Sequence, residues 1–276
     1  MELSIYRKKD KKEKQILKAS RPFMKNEFFN NGLSIEKYEI DLLKGADDFV
    51  IYLCCFNEDS CNRCQKYVNF QPYFKTHELK QTEYFENELF FYLMDNKQEW
   101  KDKRFIGTLS HIFEQKMGYM DFKYVVDRFP SHDFIYFIGG PGTVYTQGSS
   151  YTHPNLFIIL EKTLDYMKLP RSYLTDTSHI VYCNYCLFKP WVLEKYLSFL
   201  YEVKRFWTLS KEMQDLLWQD ATYNQSKLSK EDLIRKFGVP YYPHFCFVLE
   251  RLIGIYVSHL PNISIGLITP WTLRSN

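Results

Sequence analysis

DDFVIYLCCF, residues 47–56, is the stretch that decides the fold. From Phe49 to Phe56 its β-branched and aromatic side chains run without polar interruption, between Gly45 and the polar NEDS at 57–60. A strand so uniformly apolar is buried on both faces, the habit of parallel sheets covered by helices. RFIGTLSH (104–111), HDFIYFIGG (132–140) and SHIVYCNYCLFK (178–189) have the same character. Between and after them come segments with helical spacing. HELKQTEYFENELFFYLMDNKQEW (77–100) places Leu79, Phe85, Leu89 and Leu93 on one face. DFKYVVDRF (121–129), NLFIILEKTLDYMKL (155–169), PWVLEKYLSFLYEVKRFW (190–207), SKEMQDLLWQ (210–219) and FCFVLERLIGIYVSHL (245–260) follow the same rule. In SKEDLIRKFG (229–238), Ser229 and Asp232 form a capping pair and Gly238 a stop. The alternation predicts an α/β fold: a single Rossmann-like, mostly parallel sheet with helices on both faces.

The chain has 276 residues, 45% hydrophobic and 25% charged, a globular composition. There is no internal repeat and no long linker. Residues 1–32, with the mixed run RKKDKKEK at 7–14, read as a basic N-terminal arm, and 33–276 as a single domain. A net charge of +3 is too small to imply a nucleic-acid partner. No stretch of about 18 apolar residues is present, so no transmembrane segment is expected. MELSIYRKKDKKEK lacks the apolar core of a secretory leader. Seven cysteines without such a leader predict reduced thiols and a cytoplasmic setting.

In open α/β sheets ligands gather outside the carboxyl ends of the strands. That rule selects the loops after residues 55, 110 and 140. The turn NEDS at the exit of the first strand, with Asn57, Glu58 and Asp59, is the first of these. IGGPG (138–142) reads as a strand stop or a backbone-lined ligand loop, since the Lys of a phosphate loop is missing. Two C-x-x-C pairs, Cys61/Cys64 and Cys183/Cys186, raise the question of zinc. They lie far beyond the roughly 15–20 residue separation of a zinc ribbon. CNYC also falls inside an expected strand, where residues three apart face opposite sides. The sulfurs are therefore expected to be incidental and no metal site is assigned to them.

Three segments together carry a family resemblance. FIGTLSH (105–111) runs an Ile-Gly strand into a polar end; YCNYCLFKPWVLEKYLSFLYEV (182–203) sets Asn184 before an apolar strand and a Lys-Pro helix start; FCFVLERL (245–252) ends in Glu-Arg-Leu. In this order they resemble a glycosyltransferase family of bacterial polysaccharide clusters and large DNA viruses. That family carries an Ile-Gly-x-x-His-Tyr-Arg-Arg-Tyr box, an Asn-Met-Phe-Ile-Met-Lys-like segment and a late Glu-Arg-Leu. The resemblance spans about residues 48–258. It implies a fold of the glycosyltransferase A type and a nucleotide diphosphate sugar donor. It also implies a glycan acceptor and, by its strand-end placement, a nucleotide beside Cys55 and Asn57.

The chain departs from the family box. Ser110 stands where the family has His, His111 where it has Tyr, and Ile112 and Phe113 replace the paired arginines. A displacement of one residue on a strand turns a side chain to the other face. Lys116 and Arg104 are the nearby cations that could supply the missing charge. With Ser110, His111, Gly139 and Gly140 they make up the expected donor side, together with the loop 139–148. Many enzymes of this fold hold the diphosphate through a divalent metal on Asp-x-Asp, which is absent here. Either a single carboxylate such as Asp133 or Asp176 holds a metal, or cationic side chains and loop amides replace it.

Glu250 lies in the apolar run FVLERL, where an unpaired charge is costly, and is the first candidate for the proton acceptor of an inverting reaction. Asp220 in LLWQDATY, read as an acid at a helix start, is the second. Arg251 and Asn184 are the expected acceptor-binding groups, while His111, His153 and His244 admit structural readings as well. An alternative function is a non-catalytic glycan-binding or assembly protein on the same fold; a zinc-dependent interaction module is the other.

Overall fold

Phe49–Cys55 forms the first strand, β1, and every residue in it is buried. The computed structural model describes residues 48–80, 82–118, 120–140, 153–175, 179–223 and 228–269. The expected boundary near residue 32 lies outside them. Val50, Tyr52 and Cys54 enter one hydrophobic core, while Phe49, Ile51, Leu53 and Cys55 enter another on the opposite face. The period-two alternation of a strand thus serves two apolar layers at once.

After β1 come α1 (Glu58–Phe70), β2 (Phe74–Glu78), α2 (Glu88–Asp95), β3 (Phe105–Ser110), α3 (Phe113–Met117) and α4 (Phe122–Arg128). Next are β4 (Phe134–Tyr136), β5 (Gly139–Gly140), α5 (Leu156–Tyr166), β6 (Ile180–Val181) and β7 (Cys186–Phe188). The chain ends in α6 (Pro190–Leu209), α7 (Lys211–Leu217), α8 (Lys230–Phe237), α9 (Phe245–Val257) and β8 (Ile265–Leu267). Six strands form one sheet in the order β2-β1-β3-β7-β4-β8, and β5 with β6 makes a separate ribbon. Among the described strands of that sheet only β7 runs antiparallel to its neighbours, and β5 and β6 pair antiparallel in the ribbon. Side chains of α2, α5, α6 and α9 cover one face, and those of α1, α3 and α4 the other. The fold is α/β, with a mostly parallel sheet between two helical layers.

Several elements differ from the sequence reading. The expected helix over 77–100 begins as strand, and its α-helix is confined to Glu88–Asp95. The Thr82 hydroxyl accepts from the Tyr84 amide at 3.3 Å and donates to Glu88, and Phe85 takes φ 51°. A side-chain hydroxyl has displaced helical hydrogen bonds there. Asn57, Glu58 and Asp59 do not form a free turn but the start of α1. Asn57 Oδ1 accepts from the Ser60 amide at 2.9 Å, and Ser60 Oγ accepts from the Asn57 amide at 2.9 Å. Glu58 and Asp59 favour that helix N-terminus electrostatically.

The cysteines also need correction. Cys55 and Cys61 are joined in a disulfide, with Cα atoms 5.1 Å apart, so they are neither reduced nor incidental. The bridge ties the end of β1 to the first turn of α1. CNYC does not lie inside one strand: Cys183 and Asn184 adopt φ 64° and 55° and break the segment into β6 and β7.

Two glycines are constrained for different reasons. A Cβ on Gly139 would overlap the Ile180 carbonyl oxygen and lie 2.7 Å from the Tyr136 ring. On Gly238 it would meet nothing within 4 Å, but φ is 76°. Gly139→Ala is expected to cost on the order of 2–4 kcal/mol because backbone must move. Gly238→Ala should cost about 1 kcal/mol, the left-handed penalty alone. Urea midpoints compare them, and equal losses would contradict this account.

Candidate active site

From β1 the chain crosses by α1 to β2, then returns by α2 to β3 on the other side of β1. The two crossover helices lie on opposite faces. Such a reversal opens a crevice at the carboxyl ends of the two central strands. His111 closes this edge, its amide donating to the Cys54 carbonyl at 3.0 Å. Its ring meets Phe56 edge-on, with centroids 5.8 Å apart. Because β7 is antiparallel, its amino end arrives at the same edge.

The turn before β7 is held from three sides. Thr108 Oγ1 donates to the Asn184 carbonyl at 2.5 Å, and Ser110 Oγ is paired with the Tyr185 hydroxyl. Asn184 Nδ2 donates to Asn87 Oδ1 at 3.0 Å. The Cys183 amide donates to one carboxylate oxygen of Glu250, and Arg251 Nη1 donates to the other at 2.6 Å. Arg251 is 8% exposed and also reaches the Phe247 carbonyl at 3.0 Å. Glu250 therefore anchors an αL–αL turn that a Cys would not choose by itself. Asn184 Oδ1 and Arg251 Nε are buried with no partner among the described residues. Cys183 and Asn184 have positive φ in this turn, and Phe85 has it two residues before the Asn87 that bonds Asn184, as backbone strain tends to gather at ligand sites.

Charge is concentrated at this edge. Lys116 Nζ lies 3.4 Å from Cys183 Sγ and 5.5 Å from the Tyr185 ring centroid. Burial would lower its pKa, but Cys183, Glu86 and Glu250 together hold it above the ordinary lysine value. Glu86 sits on the turn Phe85–Asn87. Burial pushes its carboxyl up, with Glu250 adding to the rise and Lys116 and Lys236 opposing it. Burial raises the Cys183 thiol and lowers the His111 imidazole, the latter helped by Arg63.

Of the residues expected from the sequence, Ser110, His111, Lys116, Asn184, Glu250 and Arg251 are brought to this edge. Cys55 and Asn57 stand at it too, but Cys55 is bonded to Cys61 and Asn57 caps α1. Gly139 and Gly140 pair with Val181 and Ile180 in the ribbon beyond β4. Arg104 is not brought there. It opens β3 at the opposite edge, bound to Asp127 at 2.7 Å and Asp48 at 3.0 Å. Asp133 is likewise at the amino end of its strand, bonded to Lys189 at 3.0 Å and the Ser264 amide at 3.0 Å. Asp220 follows the end of α7 rather than starting a helix; it is exposed and accepts from the Thr222 amide at 2.7 Å. Asp176 and residues 141–148 lie outside the described residues.

Sequence reasoning missed Glu86, Lys236 and Tyr185. The signal that singled out Glu250, a charge among apolar neighbours, is present around Glu86 in YFENELF. No group of three or more His, Cys, Asp or Glu among the described residues is placed to hold a metal ion. Glu250 accepts a hydrogen bond at each oxygen, and Glu86 is within electrostatic reach of Lys116 and Lys236.

His153 and His244 form a second, drier cluster. His153 Nδ1 is 2.8 Å from the Ala221 carbonyl, and its ring stacks on Phe247 at 4.1 Å. His244 is fully buried at the N-terminus of α9, with neither ring nitrogen partnered among the described residues. Burial, then His153, lower its pKa to about 4; the positive helix end acts the same way. A histidine with a depressed folded pKa binds its proton in the unfolded chain first. Its contribution is complete above about pH 6.5 and lost as pH falls towards about 4, on the order of 3 kcal/mol. His244→Phe should flatten the urea stability profile between pH 7 and 5; an unchanged slope would contradict the assignment.

No helix among the described residues is long and apolar enough to cross a membrane. No family model matches the chain. No curated protein matches it either. Among solved structures, one described as the apo structure of the bifunctional glycosyltransferase WbbM is similar, at 10% identity and a TM-score of 0.45. The alignment covers 80% of this chain and 45% of that one, so this chain spans less than half of its neighbour's length. Likeness at that level does not define an activity.

Proposed function

We propose that this chain is a glycosyltransferase that moves a sugar from a nucleotide diphosphate sugar to a glycan acceptor, on a sheet of the glycosyltransferase A type. One observation carries the reading. The three segments of the family resemblance, remote in sequence, meet at one sheet edge through Thr108–Asn184, Ser110–Tyr185 and Cys183–Glu250 contacts. They do so at the reversal between β1 and β3, where a nucleotide is received in this class of sheet.

In the transfer, the acceptor oxygen bonds to the anomeric carbon as the bond from that carbon to the diphosphate oxygen breaks. The hydroxyl proton leaves to a carboxylate, and the diphosphate departs with the electron pair. Lys116 stands where it can balance the negative charge that grows on the leaving group, helped by the backbone amides of the neighbouring loops. Glu250 is the proton acceptor: each of its oxygens accepts one hydrogen bond and keeps a second lone pair. Exposed Asp220 is the second candidate. Asn184 and Arg251 face the acceptor side, with Asn184 Oδ1 the acceptor atom not yet used. Inversion and independence of metal belong to this proposal.

The test is a panel of UDP- and GDP-sugars with oligosaccharide acceptors, read as released nucleoside diphosphate. Release that depends on the acceptor supports transfer. Absence of release, with stabilisation by an oligosaccharide but by no nucleotide, would replace this reading with a glycan-binding protein.

A further inference from the structure

Lys236 lies on the last turn of α8, a helix that the sequence presents as a surface element with a capped start and a glycine stop. Its ammonium nevertheless points to the sheet edge. Nζ is 5.6 Å from the Phe56 ring centroid, 4.9 Å from Phe85 and 5.4 Å from Phe237. Phe56 follows β1 and meets His111 with its other contacts, so Lys236 stands over the exit of β1. Lys116 approaches from α3, against Cys183 and Tyr185. Neither lysine has a carboxylate within ion-pairing distance among the described residues; Lys236 is half-buried and Lys116 is exposed. Ammonium groups covered by aromatic rings keep their N–H donors for an anion.

Glu86 is within electrostatic reach of both lysines. The other titratable groups that face it are Cys54 at the end of β1, Cys183 and Tyr185 before β7, and Cys246 and Glu250 on α9. Glu250 is already neutralised by Arg251. The two lysines and Glu86 are thus the charges left to meet a ligand.

We propose that Lys116 and Lys236 form a two-point clamp for a diphosphate, and that Glu86 takes up a proton as the diphosphate enters. Glu86 sits on a turn whose Phe85 lies under Lys236 at 4.9 Å and whose Asn87 bonds Asn184, next to the Cys183 that meets Lys116. A diphosphate carries more charge than one carboxylate and can bond both ammonium groups directly, where Glu86 attracts them only from a distance. Left ionised beside it, Glu86 would repel it; protonated, its O–H can donate to a phosphate oxygen. Burial already disposes this carboxyl to hold a proton. The inference deepens the donor side of the proposed transferase but needs no sugar chemistry to be tested.

The test is calorimetric titration of the full chain with inorganic pyrophosphate and UDP, in buffers of different ionisation enthalpy, from pH 6 to 8. Wild type should bind pyrophosphate with net proton uptake and more tightly at the lower pH. Lys236→Met should weaken binding at least about tenfold, and Lys236→Arg should restore most of it. Glu86→Gln should bind as tightly as wild type or more so, with the proton uptake reduced. Pyrophosphate binding unchanged in Lys236→Met overturns the clamp, as does absence of pyrophosphate binding by wild type. Wild-type proton uptake in Glu86→Gln overturns the role of Glu86, and this arm decides if Lys236→Met does not fold. Pyrophosphate binding without sugar transfer would instead sink the transferase reading and leave the clamp standing.

Discussion

Glu250→Gln is expected to lose about 3 kcal/mol of stability and nearly all transfer activity, and the two losses have different causes. The stability loss comes from Arg251. That guanidinium is buried, and the Glu250 carboxylate is its ion-pair partner, at 2.6 Å. Removing one member of a buried pair leaves an uncompensated charge, which typically costs 3–5 kcal/mol. Here the lower end applies, because the Glu250 side chain keeps 20% exposure. The activity loss comes from the proton. A neutral amide cannot accept it, whatever happens to the fold. Adding Arg251→Met should therefore recover most of the stability without recovering transfer. Thermal unfolding and nucleoside diphosphate release, measured on both variants, separate the roles. Full transfer by the single variant would exclude Glu250 as the base.

Lys116→Met should behave in the opposite way, with little change in stability and a kcat about 10²–10³-fold lower. Its methylene chain and sulfur can keep the contact with Tyr185. What it loses is a cation beside the departing diphosphate, where charge appears in the transition state and less in the ground state. Removing one such donor typically costs about 10²–10³ in rate. The defect should fall on kcat more than on KM, and Lys116→Arg should restore part of it. A Lys116→Met enzyme within about twofold of wild type would show that the leaving group is met elsewhere.

Much of the fold was legible because burial on both faces writes a continuous apolar signal. β1, β3 and β4 each fall inside an apolar run, and α6, α8 and α9 start and stop at Pro190, Ser229, Gly238 and the apolar stretch after His244. α1 was missed because its apolar face is small; Cys64 is one of its few buried side chains. Its start was nevertheless written in Asn57 and Ser60, three residues apart. The 77–100 region was misread because helical spacing says nothing about a hydroxyl that competes for backbone partners, as Thr82 does.

The site was half legible. Glu250 stood out in the sequence because a charge in an apolar run demands a partner, and the partners proved to be Arg251 and the Cys183 amide. Arg104 was chosen for nearness in sequence to the Ile-Gly strand, yet a strand has two ends, and Arg104 stands at the wrong one. Lys236 gave no sign, since a lysine near a helix end is ordinary there.

For CCFNEDSCNRC, residues 54–64, the chain alone determined that a core strand ends and a polar stretch follows, because solvation preference is local. That Cys55 finds Cys61, and that Phe56 lies under both His111 and Lys236, was decided only by the tertiary structure. Pairing and charge placement depend on which remote segments reach the same sheet edge. Strand order and the antiparallel β7 set that, and neither is written in any single segment.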